Sequence, residues 1–344
     1  MIAMFRLIIT HTLLFLFLFS YPVVAQLAPS DNVFHPDSIK RIVSFLASDQ
    51  LKGRLTGSKE AEIAAGFISD EFQLAGISPV AGNEGYLSRF NFLNNQNQVI
   101  DGINVVGALP GKAKKEELII FCAHYDHIGT QTTNPYPGFP LTANKDSHDT
   151  IFNGANDNAS GTAAMIMLAR YYGSLKNNER TIVFVAFSGE EFGLRGSHAF
   201  SSLLDPKAVK AVINIEMIGR GLFSKKHNPY ITGGNFSDLN KILNKKLKNQ
   251  QMDSAGRIIY FKEDPFPSEG LFSRSDNFPF ALKRIPAHTL MLTSPKDVFY
   301  HSVNDEIETL NFYNMSLIIK AIALGTSGLV SGIDTPTRIA KRKQ

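Results

Sequence analysis

The chain of 344 residues has a single cysteine, Cys122, which excludes an intrachain disulfide and any zinc site made of paired thiolates. Its neighbours Ile119, Ile120 and Phe121 are apolar, so a buried, inert thiol is expected. Two hydrolase signatures are missing: no Gly-x-Ser-x-Gly elbow and no His-Glu-x-x-His helix occurs, leaving serine-hydrolase and helix-borne zinc chemistry without support. There is no internal repeat and no linker that would split residues 30–330. Basic charge is scarce where it would count. The formal charge is +4, yet Arg6, Arg338, Lys341, Arg342 and Lys343 lie near the ends, and without them 30 basic residues face 31 acidic ones. A nucleic-acid binder needs its basic patch on the folded body, so no nucleic-acid partner is expected.

What is present begins with a leader. Arg6 precedes an apolar run from Leu7 to Phe19, followed by Ser20, Tyr21, Pro22 and Val23-Val24-Ala25. The run is short of the ~20 residues of a membrane span and has the layout of a secretory signal. Residues 1–25 read as a signal peptide cut after Ala25, 26–334 as one catalytic domain and 335–344 as a basic, frayed tail. The mature protein is expected to be exported, periplasmic or secreted, without stable membrane insertion once the signal is removed; its oligomeric state is left open. Hydrophobic residues at 44% suffice for a full core.

Along the mature chain, helical spacing marks 36–49, a helix opened by Ser58, and helices at 159–172, 192–204, 239–247 and 310–329. Strands are expected at 99–109, 118–123, 181–187, 211–217, 257–261 and 287–292, with a long polar loop at 128–153. Continuous apolar strands alternating with helices predict an α/β fold: a mixed, largely parallel sheet sandwiched by helices.

Chemistry gathers just past the strand ends, where ligands bind in open α/β sheets. His124 and Asp126 are two apart on an extended segment and share a side, as a ligand and its orienter would; a surface His-Asp pair has the same local look. Asp157 precedes a helix and reads either as an N-cap or as a carboxylate shared by two metals. Glu190 and Glu191 follow an apolar strand, where an adjacent acid pair is costly without a facing cation, although acids at a helix start are ordinary. Glu216 ends another buried strand and needs a partner, a metal or a nearby base. His301 precedes the last helix, with Asp305 and Glu308 nearby. Imidazole and carboxylate ligands suit zinc.

The segments Ala-His-Tyr-Asp-His-Ile-Gly (123–129), Gly-Ala-Asn-Asp-Asn-Ala-Ser-Gly (154–161), Phe-Ser-Gly-Glu-Glu-Phe-Gly-Leu-Arg-Gly-Ser (187–197), Asn-Ile-Glu-Met-Ile-Gly (214–219) and Tyr-His-Ser (300–302), in this order, resemble the zinc metallopeptidases of peptidase family M28, which include secreted bacterial aminopeptidases. Ser275–Phe280 and Ile285–Ala287 resemble its later segments. The resemblance implies the zinc-exopeptidase (phosphorylase/hydrolase-like) fold, a peptide substrate and two zinc ions per chain. It places His124, Asp157 and Glu216 on one zinc and Asp157, Glu191 and His301 on the other, with Asp126 orienting His124, Glu190 as general base and a cis peptide after Asp157. Two residues depart from the family pattern: Glu216 stands where Asp is usual, and Asn277 where His is common in a Ser-Asp-His-x-Pro-Phe segment. The first keeps a single-zinc site in play, and with it a glutaminyl cyclase-like acyltransferase on the same fold. A non-catalytic M28-like binding domain is the remaining alternative.

Overall fold

Successive residues of the central strands point to opposite faces, and both faces are apolar. In β4 (Lys114–His124), Ile119, Phe121 and Ala123 enter one core while Ile120 and Cys122 enter the other. In β5 (Arg180–Phe187), Ile182, Phe184 and Ala186 alternate in the same way with Val183, Val185 and Phe187. A sheet buried on both sides must carry helices on both sides. The computed structural model describes residues 31–133, 149–221, 229–248 and 259–340; the leader and much of the 128–153 loop fall outside them.

The other strands are β1 (Ser78–Pro79), β2 (Leu87–Leu93), β3 (Val99–Leu109), β6 (Val209–Glu216), β7 (Tyr230–Ile231), β8 (Lys262–Glu263) and β9 (Ala287–Met291). They form one mixed sheet in the order β1-β3-β5-β4-β6-β9-β7-β8, with β2 paired to β3. The middle, β5-β4-β6-β9, is parallel throughout; β3 and β7 run antiparallel to their inner neighbours. On one face pack α1 (Pro36–Leu46), α2 (Lys59–Leu74), α3 (Gly161–Leu175), α5 (Leu239–Leu247) and α7 (Phe312–Val330). On the other lie α4 (Arg195–Ser202) and α6 (Phe278–Leu282), through Phe200 and Phe280. The expected mixed, largely parallel α/β sandwich is present. α7 is long and apolar enough to cross a membrane, but most of it is buried here as a core helix.

Local chemistry sets the boundaries. Ser58 Oγ accepts the Ala61 amide and starts α2. Cys122 is buried in the second core, and burial pushes its thiol well above the ordinary range. Two expectations need correction, and one strand was not expected. Residues 259–261 are not a strand: the Asn244 side chain donates to Phe261 O (2.7 Å) and accepts from Phe261 N (2.9 Å), taking the groups a sheet neighbour would have used. The half-exposed strand β2 went unread because its residues are mostly polar or partly covered. The tail is not frayed through residue 340: Arg338 donates to the carbonyls of Val209 and Pro206, Thr337 bonds Asp238, and Ile339 is buried.

Candidate active site

Parallel strands bring their carboxyl ends to one edge. His124 is the last residue of β4 and is in register with Phe187, the last of β5; Glu216 is the last of β6. The chain leaving β5 turns at Gly189 (φ 76°) and carries Glu190 and Glu191 over the same edge. His301 lies in the left-handed region (φ 51°) on the loop after β9. The loop before α3 contributes Asp157. Gly154 (φ 57°) makes its approach feasible, because a Cβ there would strike the Asp157 carbonyl and the His127 ring.

Asp157 is the centre. One carboxylate oxygen lies 3.3 Å from His124 Nε2 and the other 3.3 Å from His301 Nε2. His301 Nε2 is also 3.2 Å from Glu191. Ligand-capable atoms of His124, Asp157 and Glu216 lie within 4.8 Å of one another, as do those of His127, Asp157, Glu191 and His301. The structure therefore brings together all five residues singled out as metal ligands, and Asp157 belongs to both groups. Its backbone is non-helical (φ −108°, ψ 94°), and the peptide between Asp157 and Asn158 is cis.

Side chains not singled out from the sequence hold this arrangement. Asn158 Oδ1 accepts from Gly161 N (3.0 Å) and Met217 N (3.1 Å), while its amide donates to Ile215 O (3.0 Å). Asn156 Oδ1 accepts from Gly219 N (2.8 Å), and Ser160 Oγ from Ile218 N (3.1 Å). The Asp157 loop is thus zipped to the end of β6, and Asn158, not Asp157, bonds the first amide of α3. Behind it, buried Asp305 accepts from Asn156 N (2.9 Å) and Asp157 N (3.0 Å) and pairs with Arg220 (2.5 Å), which also grips Asp297. Fully buried Arg54 donates to the carbonyls of Leu46, Tyr125 (2.6 Å), Asn153 (2.7 Å) and Gly154 (3.1 Å). Burial lowers its pKa to about 10, opposed by Asp126, Asp305, Asp157 and Glu191. His127 bonds Glu191 Oε1 (2.7 Å). The signals were there, in the flanking asparagines of Asn-Asp-Asn and the second histidine of His-Tyr-Asp-His, but each residue type is common in ordinary loops.

One placement differs in detail from expectation. The closer group to His124 Nδ1 is the backbone carbonyl of Asp126 at 3.2 Å; its carboxylate stands at 3.8 Å. That carboxylate accepts instead from Thr56 Oγ1 (2.9 Å) and Glu190 N (3.3 Å), tying β4 to the Glu190 turn. Asn277 does not line the cleft: it is buried and bonds Phe272 O and Thr289 Oγ1. Asp305 sits beneath the site, while Glu308 is exposed and outside it.

The charges fit a cation. Burial resists protonation of His301, yet Glu191 and Asp157 raise its pKa to about 10. Burial likewise opposes a charge on His124, but Glu190, Asp157 and Asp126 hold it well above its usual range. Burial would raise Glu191, and His301 with His127 instead brings it to about 2. Burial pushes Glu216 up to about 7 and Glu190 well above the carboxylate range. Among the described residues His124 Nε2 and Glu216 Oε2 are buried without a hydrogen-bond partner, which a polar atom avoids unless a ligand completes it. An imidazole and carboxylate donor set of this kind fits zinc. The cluster opens into a cleft of ≈ 140 Å³ walled by Met217, Leu271, Met291 and Tyr300, with Glu269 and Arg274 also lining it.

Comparison with known proteins agrees with this picture. The profile of peptidase family M28 matches residues 104–324. Aminopeptidase YwaD of Bacillus subtilis is 32% identical over 131 residues, 37% of this chain and 23% of that protein. The glutaminyl cyclase of Porphyromonas gingivalis superposes with a TM-score of 0.65 at 16% identity, covering 87% of this chain and 99% of that one. An aminopeptidase from Aneurinibacillus sp. strain AM-1 gives 0.62 at 15% identity, covering 91% and 97%. The two structural likenesses show the fold alone. The matched stretches span only 17%, 38% and 23% of three curated relatives.

Proposed function

The chain belongs to peptidase family M28, whose match runs over more than half its length, and we propose from this that it is an exported two-zinc exopeptidase of the aminopeptidase type. The observation that carries the reading is the Asp157 carboxylate, one oxygen toward His124 and the other toward His301, each at 3.3 Å. His124, Asp157 and Glu216 would hold one ion and Asp157, Glu191 and His301 the other. His127, donating to Glu191, would orient that ligand. Bound there, the ions would supply an acidified water and positive charge for the developing oxyanion.

The chain's own residues do the rest. Glu190 lines the cleft beside this cluster, and its raised pKa suits a group that takes a proton from the attacking water and returns it to the leaving amine. Asp126 fixes the Glu190 turn through the Glu190 amide and holds His124 through its own carbonyl. The apolar wall of Met217, Leu271 and Met291 excludes water beside the reacting carbonyl. Residues 26–334 are the catalytic domain on this reading and residues 1–25 its export signal.

The test is Glu190→Gln in the zinc-loaded protein, assayed on aminoacyl and N-blocked peptides. Turnover should fall about 10²- to 10⁴-fold with zinc content unchanged. Nearly full turnover would remove Glu190 from the mechanism, and cleavage of blocked peptides would remove the aminopeptidase assignment. Cyclisation of peptides with N-terminal glutamine, with one zinc per chain, would favour the acyltransferase reading that Glu216 keeps open.

A further inference from the structure

Arg274 stands apart from every other arginine among the described residues. Arg41, Arg89, Arg170 and Arg220 hold carboxylates. Arg180 holds a carboxylate and backbone carbonyls, and Arg54, Arg195, Arg284 and Arg338 bond backbone carbonyls. The Arg274 guanidinium has no hydrogen bond and no ion pair among these residues, although it lines a cleft with Asp157, Glu190, Glu191, Glu216 and Glu269. Its backbone is nonetheless fixed. Arg274 N bonds Leu271 O (3.1 Å), and the next three residues, Ser275, Asp276 and Asn277, are fully buried. Ser275 is bonded to Asn214 of β6 and Asn277 to Thr289 of β9.

Arg274 shares this cleft with Tyr300 and His301. Tyr300 stacks on His301 with ring centroids 3.9 Å apart. The cleft thus brings together four site carboxylates, the His301 imidazole, an apolar wall and a guanidinium. A planar fork of donors on an anchored backbone, itself exposed to solvent and without a partner among the described residues, is suited to a carboxylate.

We propose that Arg274 is a substrate-carboxylate subsite, and that the cleft takes peptides presenting an anionic group to it. This rests on the peptidase reading. The carboxylate has two sources, the free C-terminus of a short peptide or the side chain of an Asp or Glu residue, and the test separates them.

The probes are dipeptide analogues whose peptide bond is reduced to CH₂–NH, so binding is read without turnover. They are titrated by calorimetry into the zinc-loaded full chain, with a free C-terminus or an amide, and with Glu or Gln as a residue. Arg274→Gln should weaken binding ten- to hundredfold for analogues carrying the recognised carboxylate, leave their amide counterparts unchanged, and recover in part in Arg274→Lys. Loss with the free C-terminus alone assigns a short-peptide subsite; loss with Glu alone assigns an acidic side-chain subsite. Equal loss for charged and amidated analogues, or none, overturns the proposal. True peptides run in parallel read KM, expected to rise with kcat nearly constant. Absence of hydrolysis by the wild type would sink the peptidase reading while the binding result still stands.

Discussion

Asp305→Asn is the sharpest test of how the site is held. Asp305 is fully buried, and its two oxygens accept Asn156 N and Asp157 N while one also pairs with Arg220. Asparagine keeps one acceptor and turns an NH₂ toward a backbone N–H, leaving a buried donor unsatisfied at about 1–3 kcal/mol. The lost charge weakens the hold of Arg220, which keeps Asp297 at 2.9 Å, so the full 3–5 kcal/mol cost of breaking a buried pair does not apply. A net loss of about 3 kcal/mol follows, and for a chain of this size that is roughly 5 °C in Tm. The second readout is metal. The amide released is that of Asp157 itself, and loss of such an outer contact weakens metal binding about 10- to 100-fold. Thermal unfolding of the metal-free protein by circular dichroism and zinc competition against a chelator measure the two effects. A variant with unchanged Tm and unchanged zinc affinity would refute the reasoning that Asp305 positions Asp157.

Arg54→Met should be more damaging, since it strips four backbone carbonyls of one common donor; a loss above about 3 kcal/mol is expected, and soluble protein of wild-type Tm would contradict it. The metal-free protein should lose stability as pH rises. His301, at about 10 against an ordinary 6.5, contributes stability that is complete below 6.5 and lost through 10. Glu216, at about 7 against 4.5, acts in the same sense between those values. Tm of the metal-free form should therefore fall between pH 5 and 10, and a zinc-loaded sample, whose ligands are deprotonated, should not share that slope. Equal slopes would show that these residues do not meet the metal.

The strands that carry the site were legible because their apolar runs are long and bounded: β3, β5, β6 and β9 lie within two residues of where the sequence places them. The residues that cluster were legible as a set, through five segments in the order of peptidase family M28, since each alone also reads as a cap, a surface pair or a helix-start acid. What holds them was not. Asn158, Ser160 and Arg220 act through hydrogen bonds that reach chain 57 to 85 residues away, and local sequence carries no mark of a distant partner. Asp126 shows the same limit: its spacing suggested a carboxylate on His124, whereas folding gives that carboxylate to Thr56, 70 residues earlier.

The zipping of the Asp157 loop to the end of β6 has a temporal consequence. Thr56, His124, Asp157, Glu190, Glu216 and His301 come from six separate stretches of chain, and none has its neighbours until β4, β5 and β6 have paired and the loop after β9 has returned. A partly made or partly unfolded chain therefore holds the residues but no site, so that, with the zinc binding proposed, tight metal binding would mark the completion of the fold and serve as its clock.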